Sequence, residues 1–272
     1  MTKLSSARKV VTRSPVRNVG IINCRWFQDH PIEYESQLEK RFVQSALLCP
    51  GIREIRSQPF TMKLEIGSYT PDFLIDFGSG RAVIEIKPRS KVTKFSALFD
   101  QAAQHLKERS LHFYVITEEG IDCGNHVKVA GEVLRYGKAE IAEEQVYAVL
   151  QVFGAGEDIR LADLVSRTKV KREVVLHMLA RRWLRIRSKD LVEDQTLISR
   201  VQYTPELDIG AFEQRFLVLP WAHSGLSAPD RPPRSNALKK RATRSVGPYV
   251  RENRTASDSR ERNPLSFIAA GL

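Results

Sequence analysis

The 272 residues are 42% hydrophobic, 28% charged and 8% aromatic, a globular balance with chain enough for a sizeable core and, by length, for two domains. Forty-three Lys and Arg against 32 Asp and Glu leave a net charge of +11, so a polyanion is the expected partner; no run of 18 apolar residues occurs, and neither a membrane span nor a secretory leader is expected. Three cysteines, Cys24, Cys49 and Cys123, sit at unrelated spacings that build neither a disulfide framework nor a zinc site, which suits a reducing cytoplasm.

The excess charge is confined to the ends. Residues 1–30 carry a net +5 and residues 226–272 a net +6, while 31–225 sum to zero. Both ends are rich in Ser, Arg, Pro or Asn and lack apolar periodicity, so they read as basic arms that hold phosphates; the patch Leu265–Ala270 could dock on a partner. In the body, Glu35–Leu48 has a helical apolar face and stops at Cys49-Pro50-Gly51. Short strands are expected at Ile52–Phe60 and Thr61–Ile66. The strongest strand signals, Thr70–Phe77 and Arg81–Lys87, flank Gly78-Ser79-Gly80. A helix over Phe95–Arg109 and a buried strand over Leu111–Thr117 complete one α/β domain, 31–137. The block 138–225 differs: helices at Glu143–Phe153, Leu161–Thr168 and Lys171–Trp183 precede a two-stranded hairpin at Leu184–Arg187 and Thr196–Val201. That is the plan of an α-rich winged-helix domain.

The hairpin carries the chemistry. With Gly78-Ser79 as a two-residue type II′ turn, Phe77 pairs with Gly80, Asp72 lies opposite Glu85, and Lys87 shares the face of Glu85. A three-residue turn would set Asp72 opposite Ile86 instead. Facing carboxylates repel, and a divalent cation with its preference for hard oxygen ligands would remove that repulsion. A lysine two residues on would stabilise developing phosphate charge or orient an attacking water. The pattern PD-(x)12-E-x-K thus outlines a metal-dependent phosphodiesterase; the plain alternative is a solvated ladder of ion pairs. Apolar alternate positions, Phe73, Ile75, Ile84 and Ile86, favour the first reading. The helix upstream offers Glu33, Glu35 and Glu39 as a third carboxylate, and periodicity does not choose among them.

The runs ESQLEKRF (Glu35–Phe42), IRSQPF (Ile55–Phe60), YTPDFLID (Tyr69–Asp76) and VIEIKP (Val83–Pro88) resemble the TnsA-type endonuclease subunit of heteromeric transposons over roughly residues 16–120, with a familiar basic lead-in at Arg17–Gly20. The resemblance implies a restriction-endonuclease-like α/β fold, a mixed sheet flanked by helices, followed by a winged-helix domain. It implies Glu39, Asp72 and Glu85 as Mg²⁺ ligands, where Mn²⁺ can substitute, and Lys87 as the catalytic lysine. Some members carry Gln where this chain has Glu85. It also implies an activity: cutting the 5′ ends of a transposon in double-stranded DNA, beside a DDE transposase (TnsB-like) that cuts the 3′ ends and an AAA+ ATPase (TnsC-like) that regulates both.

From Arg167 to Lys189 there are nine Lys or Arg and one Glu. Lys171, Arg172, Arg181, Arg182, Arg185 and Arg187 are the expected DNA-binding set, phosphates first and bases second. Trp183 is expected in the core and His177 on the surface; a winged helix docking on protein would need neither groove nor phosphate. Lys91 and Lys94, after the lysine-bearing strand, could approach a phosphate backbone. Gly78-x-Gly80 opens no helix and is no phosphate loop, and the histidines show no triad logic. Two other readings remain open from sequence: a stand-alone restriction or repair nuclease, which would cut without partners, and a non-catalytic winged-helix adaptor.

Overall fold

The computed structural model describes residues 19–154, 156–186, 191–202 and 208–221. The expectations for the far N-terminal arm, the 226–272 tail and Arg187 lie outside the described residues. β1 (Gly20–Ile22) and β2 (Ile32–Tyr34) pair antiparallel ahead of α1 (Gln37–Leu47). β3 (Glu54–Ser57) follows, then a small hairpin of β4 (Met62–Leu64) and β5 (Gly67–Tyr69), then β6 (Phe73–Asp76) and β7 (Arg81–Ile86). α2 (Arg89–Val92), a 3-10 turn over Thr93–Phe95 and α3 (Ser96–Lys107) cross over to β8 (His112–Ile116). α4 (Glu118–Ile121), α5 (His126–Val133) and a 3-10 turn over Leu134–Lys138 lead to the second block.

The central sheet is mixed, with the order β3-β6-β7-β8; the first three strands are antiparallel neighbours and β8 runs parallel to β7. This is the α/β architecture expected. The period of two splits its side chains between two cores. Phe73, Ile75, Ala82, Ile84 and Ile86 pack with Phe42, Val43 and Ala46 of α1. Leu74 and Val83 pack with Phe99, Ala102 and Leu106 of α3, and with Met62 and Tyr69 of the small hairpin. The β6–β7 register is that of the two-residue turn: Phe77 N–H donates to the Gly80 carbonyl at 2.9 Å, and Asp76 pairs with Arg81. Gly78 takes φ +78°, as the first position of a type II′ turn requires, and a Cβ there would strike the Arg53 guanidinium. The edge of β3 is covered by a side chain: the Gln28 amide donates to the Ile55 carbonyl at 3.1 Å and accepts from Ile55 N–H at 3.0 Å.

The second block has α6 (Glu143–Gln151), β9 (Asp158–Arg160), α7 (Leu161–Thr168), α8 (Arg172–Ala180), β10 (Leu184–Ile186) and β11 (Leu197–Arg200). Its sheet is three-stranded, β10-β11-β9, not the two-stranded hairpin expected, because the short Asp158–Arg160 segment pairs with β11. Every residue of α8 from Val174 to Ala180 is buried, against α6, α7, α5 and the 3-10 turn after α5. His177, expected on the surface, is 3% exposed; its Nδ1 lies 2.9 Å from the Tyr136 carbonyl, and half-buried Trp183 meets its ring edge-on.

The last described segment returns to the first block. α9 (Asp208–Arg215) places Phe212, fully buried, against Phe42, Phe77 and Tyr114, with ring centroids 5.4–6.4 Å apart. Glu213 accepts from the Tyr114 hydroxyl at 2.8 Å, and Trp221 donates to Asp100 of α3 at 2.7 Å. Residues 208–221 therefore complete the core around the central sheet. Phe212→Ala should destabilise the protein by about 3–5 kcal/mol in urea denaturation; a loss below about 1 kcal/mol would show that the returning helix is an ornament.

Candidate active site

The site lies where β6 begins and β7 ends. Asp72 immediately precedes β6, and continuing the register one pair beyond Phe73–Ile84 sets it opposite Glu85. Its backbone carbonyl accepts from Gln58 N–H at 2.8 Å, and its Oδ2 accepts from Ile86 N–H at 2.7 Å. The carboxylate is thereby pinned across the hairpin while Oδ1 receives no hydrogen bond from the described residues. Glu85 is only 3% exposed, on the α3 face of the sheet beside Val83. Lys87 Nζ lies 2.6 Å from its Oε1, the Tyr69 hydroxyl donates to its Oε2 at 2.7 Å, and the Asp72 backbone N–H donates to the same carboxylate. Three donors leave about one of the four lone-pair sites of the carboxylate uncommitted. Phe95, in the turn before α3, lies under the Lys87 ammonium, 5.1 Å from Nζ to ring centroid.

Glu39 stands on the first turn of α1 and belongs to a capping box. Ser36 Oγ accepts from Glu39 N–H at 3.1 Å and donates to Glu39 Oε1 at 2.8 Å, while Oε2 accepts from Glu35 N–H at 2.7 Å. Both oxygens of Glu39 are thus engaged at the helix end. Among the described residues, no group of three or more His, Cys, Asp and Glu side chains is gathered at metal-holding distance. The structure brings Asp72, Glu85 and Lys87 together, with Glu39 near enough for its charge to reach them.

The electrostatics follow from that crowding. Burial raises Asp72 well above the usual carboxylate range, and the charges of Glu85 and Glu39 push it further; Ile86 N–H and Lys87 only partly oppose this. Burial also raises Glu85, against the pull of Lys87 and the Tyr69 hydroxyl. Glu39 rises by burial as well, opposed by its two cap donors. For Lys87, burial alone would lower the ammonium, but Glu85, Asp72 and Glu39 outweigh it and hold it above its ordinary value. Two facing carboxylates with costly charges and an uncommitted Asp72 oxygen suit a hard divalent cation, so Asp72 and Glu85 fit a metal as ligands. Glu39 fits only if it gives up its cap bonds.

The basic set of the second block is mostly spoken for. Arg172 pairs with Glu132 at 3.2 Å. Arg181 donates to the Trp26 carbonyl at 3.4 Å and lies 5.9 Å from that indole. Arg182, at φ +62° in the left-handed turn that ends α8, donates to the carbonyls of Ile52 and Cys49 and stacks 4.7 Å over Phe27. These guanidinium groups join the second block to the first, and the buried length of α8 leaves no face there for a groove. Lys171 and Arg185 are exposed, as are Lys91 and Lys94 beside the hairpin. Tyr69 and Phe95 were not singled out in sequence; the only signal was that Tyr69 stands three residues before Asp72, in the strand feeding the site.

Residues 49–118 match the family model described as TnsA-like endonuclease N terminal. The matched segment holds Asp72, Glu85 and Lys87 and leaves Glu39 and the second block outside. No curated protein matches the chain. The segment is thus similar to TnsA-like endonuclease N-terminal domains, a likeness that points to a nuclease. Among the described residues, no helix is long and apolar enough to cross a membrane.

The raised carboxyl groups make a signed prediction for the metal-free protein. A folded value above the unfolded one contributes stability that is complete below the unfolded value, about 4, and is lost as pH rises through the folded value. In chelator, stability should therefore fall from mildly acidic toward neutral pH, and Asp72→Asn should flatten that fall and raise the neutral-pH melting temperature. A wild-type profile rising over the same interval would contradict it.

Proposed function

We propose that the chain is a Mg²⁺-dependent DNA endonuclease subunit of a transposase that cuts the 5′ ends of a transposon. The observation that carries the reading is the half-shielded constellation of Asp72, Glu85 and Lys87 inside a TnsA-like endonuclease segment. Asp72 and Glu85 would hold the ion, with Glu39 adding negative field from the first turn of α1. Bound there, Mg²⁺ or Mn²⁺ would supply a Lewis acid for a phosphoryl oxygen and a water of lowered pKa. Lys87, 2.6 Å from Glu85, would serve as a fixed positive charge for the negative charge that develops on the scissile phosphate. In-line attack by water forms a new P–O bond and breaks the P–O3′ bond, leaving a 5′-phosphate and a 3′-hydroxyl.

Duplex DNA at transposon ends is the proposed substrate, a TnsB-like DDE transposase the partner for the other strand, and a TnsC-like AAA+ ATPase the regulator. The order of elements over 143–200, helix, strand, two helices and two strands, supports a winged-helix module. Its buried helix and docked arginines favour a module fixed on the nuclease domain, with Lys171 and Arg185 left for phosphate contacts. Supercoiled-DNA nicking in Mn²⁺ tests the reading: Asp72→Ala and Lys87→Ala should each lose about 100-fold or more in rate with an unchanged fold by circular dichroism. Wild-type rates in either variant would overturn the assignment.

A further inference from the structure

The small β4–β5 hairpin ends in Tyr69, three residues before Asp72, and its side chain turns into the core under α3. Tyr69 is 7% exposed, and its hydroxyl donates to Glu85 Oε2 at 2.7 Å. Its ring meets Phe113 of β8 edge-on, with centroids 6.5 Å apart and planes at 86°. The ring is therefore wedged against the sheet, and the hydroxyl has one partner available to it, the carboxylate of Glu85. On the other side the same carboxylate is held by Lys87. A Glu side chain has three rotatable bonds and would otherwise swing; Lys87 and the Asp72 backbone N–H hold it from the hairpin, and the Tyr69 hydroxyl is the donor from outside the hairpin that fixes the roll of the carboxylate plane.

Resting on the nuclease reading above, we propose that Tyr69 is a positioning residue for the divalent ion: it locks the Glu85 carboxylate in the orientation in which its remaining lone pair is presented with Oδ1 of Asp72. A carboxylate fixed before the ion arrives loses no rotamer freedom on binding, so removal of the hydroxyl acts on metal affinity more than on folding. The hairpin then has a reason to stand beside the site. Its base delivers the tyrosine, while its tip is braced from α3 by Gln101, which accepts from Ile66 N–H at 3.3 Å and donates to Glu65 at 3.4 Å.

The test is Mn²⁺ titration of the full chain by calorimetry, comparing wild type with Tyr69→Phe, Asp72→Ala and Phe113→Leu. Tyr69→Phe keeps the ring and removes one oxygen; its Mn²⁺ dissociation constant should rise roughly 10- to 100-fold at unchanged stoichiometry. Phe113→Leu loosens the packing around the same ring but keeps the hydroxyl; it should lower the melting temperature and raise the dissociation constant less than Tyr69→Phe does. A merely structural role for Tyr69 would instead lower stoichiometry, through a smaller folded fraction, with the constant unmoved, and that result would overturn the proposal. If Asp72→Ala loses binding while Tyr69→Phe binds as wild type does, the positioning role alone falls. If Asp72→Ala binds Mn²⁺ like wild type, the metal-nuclease reading falls and this proposal with it.

Discussion

The constraint on which the site depends is the placing of two carboxylates face to face on a hairpin that is sealed on both sides. Asp72 is opposed to Glu85 by the β6–β7 register, and that register is set by Gly78, whose positive φ permits the tight turn. Like charges opposed across a strand pair are disfavoured, the more so at the 3% exposure of Glu85. Hydrogen bonds soften the cost without removing it. Ile86 N–H takes one oxygen of Asp72, and Lys87 and Tyr69 take one each of Glu85. Even so the carboxyl groups stay raised above the usual carboxylate range.

Much of the surrounding fold exists to hold that hairpin still. The α1 side of the sheet is closed by Phe42 and by the returning Phe212 and Phe216; the α3 side is closed by Phe99, with Trp221 edge-on to it at 5.3 Å. Segments more than a hundred residues apart in sequence thus clamp the strands that carry Asp72 and Glu85. The second block is tied in by Arg181 and Arg182, whose cations reach over Trp26 and Phe27 and onto backbone carbonyls. A shift of the second block would be felt at the loop beyond Cys49, which leads into β3, the neighbour of β6.

The hairpin was legible in sequence because a glycine-led turn and the period of two narrow it to two registers, and the observed one, that of the two-residue turn, sets Asp72 opposite Glu85 and puts Lys87 on the same face. The helix ahead of it was legible for the same kind of reason, though the S-x-x-E spacing of Ser36 and Glu39 also announces a capping box, and that is where the Glu39 carboxylate is found. The intramolecular partners of Arg172, Arg181 and Arg182 were not legible, because a count of cations does not tell whether they meet phosphates, carbonyls or aromatic rings. Arg182, two residues past the end of α8, is left-handed with no glycine to mark it, so the turn that aims it inward had no local signal. β9 is three residues long, too short for alternation to show, and the return of Phe212 to the first core is a long-range contact that no local pattern encodes.

The most direct test of the account is the melting temperature of the wild-type chain at neutral pH with and without saturating Mn²⁺, alongside the double variant Asp72→Asn, Glu85→Gln. An ion that relieves the buried repulsion binds the folded state alone and stabilises it by mass action. The account predicts a clear upward shift with Mn²⁺ for wild type, and for the variant a higher starting temperature with no response to the ion. An equal response in both proteins, or none in wild type, would contradict the claim that this hairpin is a metal-dependent nuclease centre.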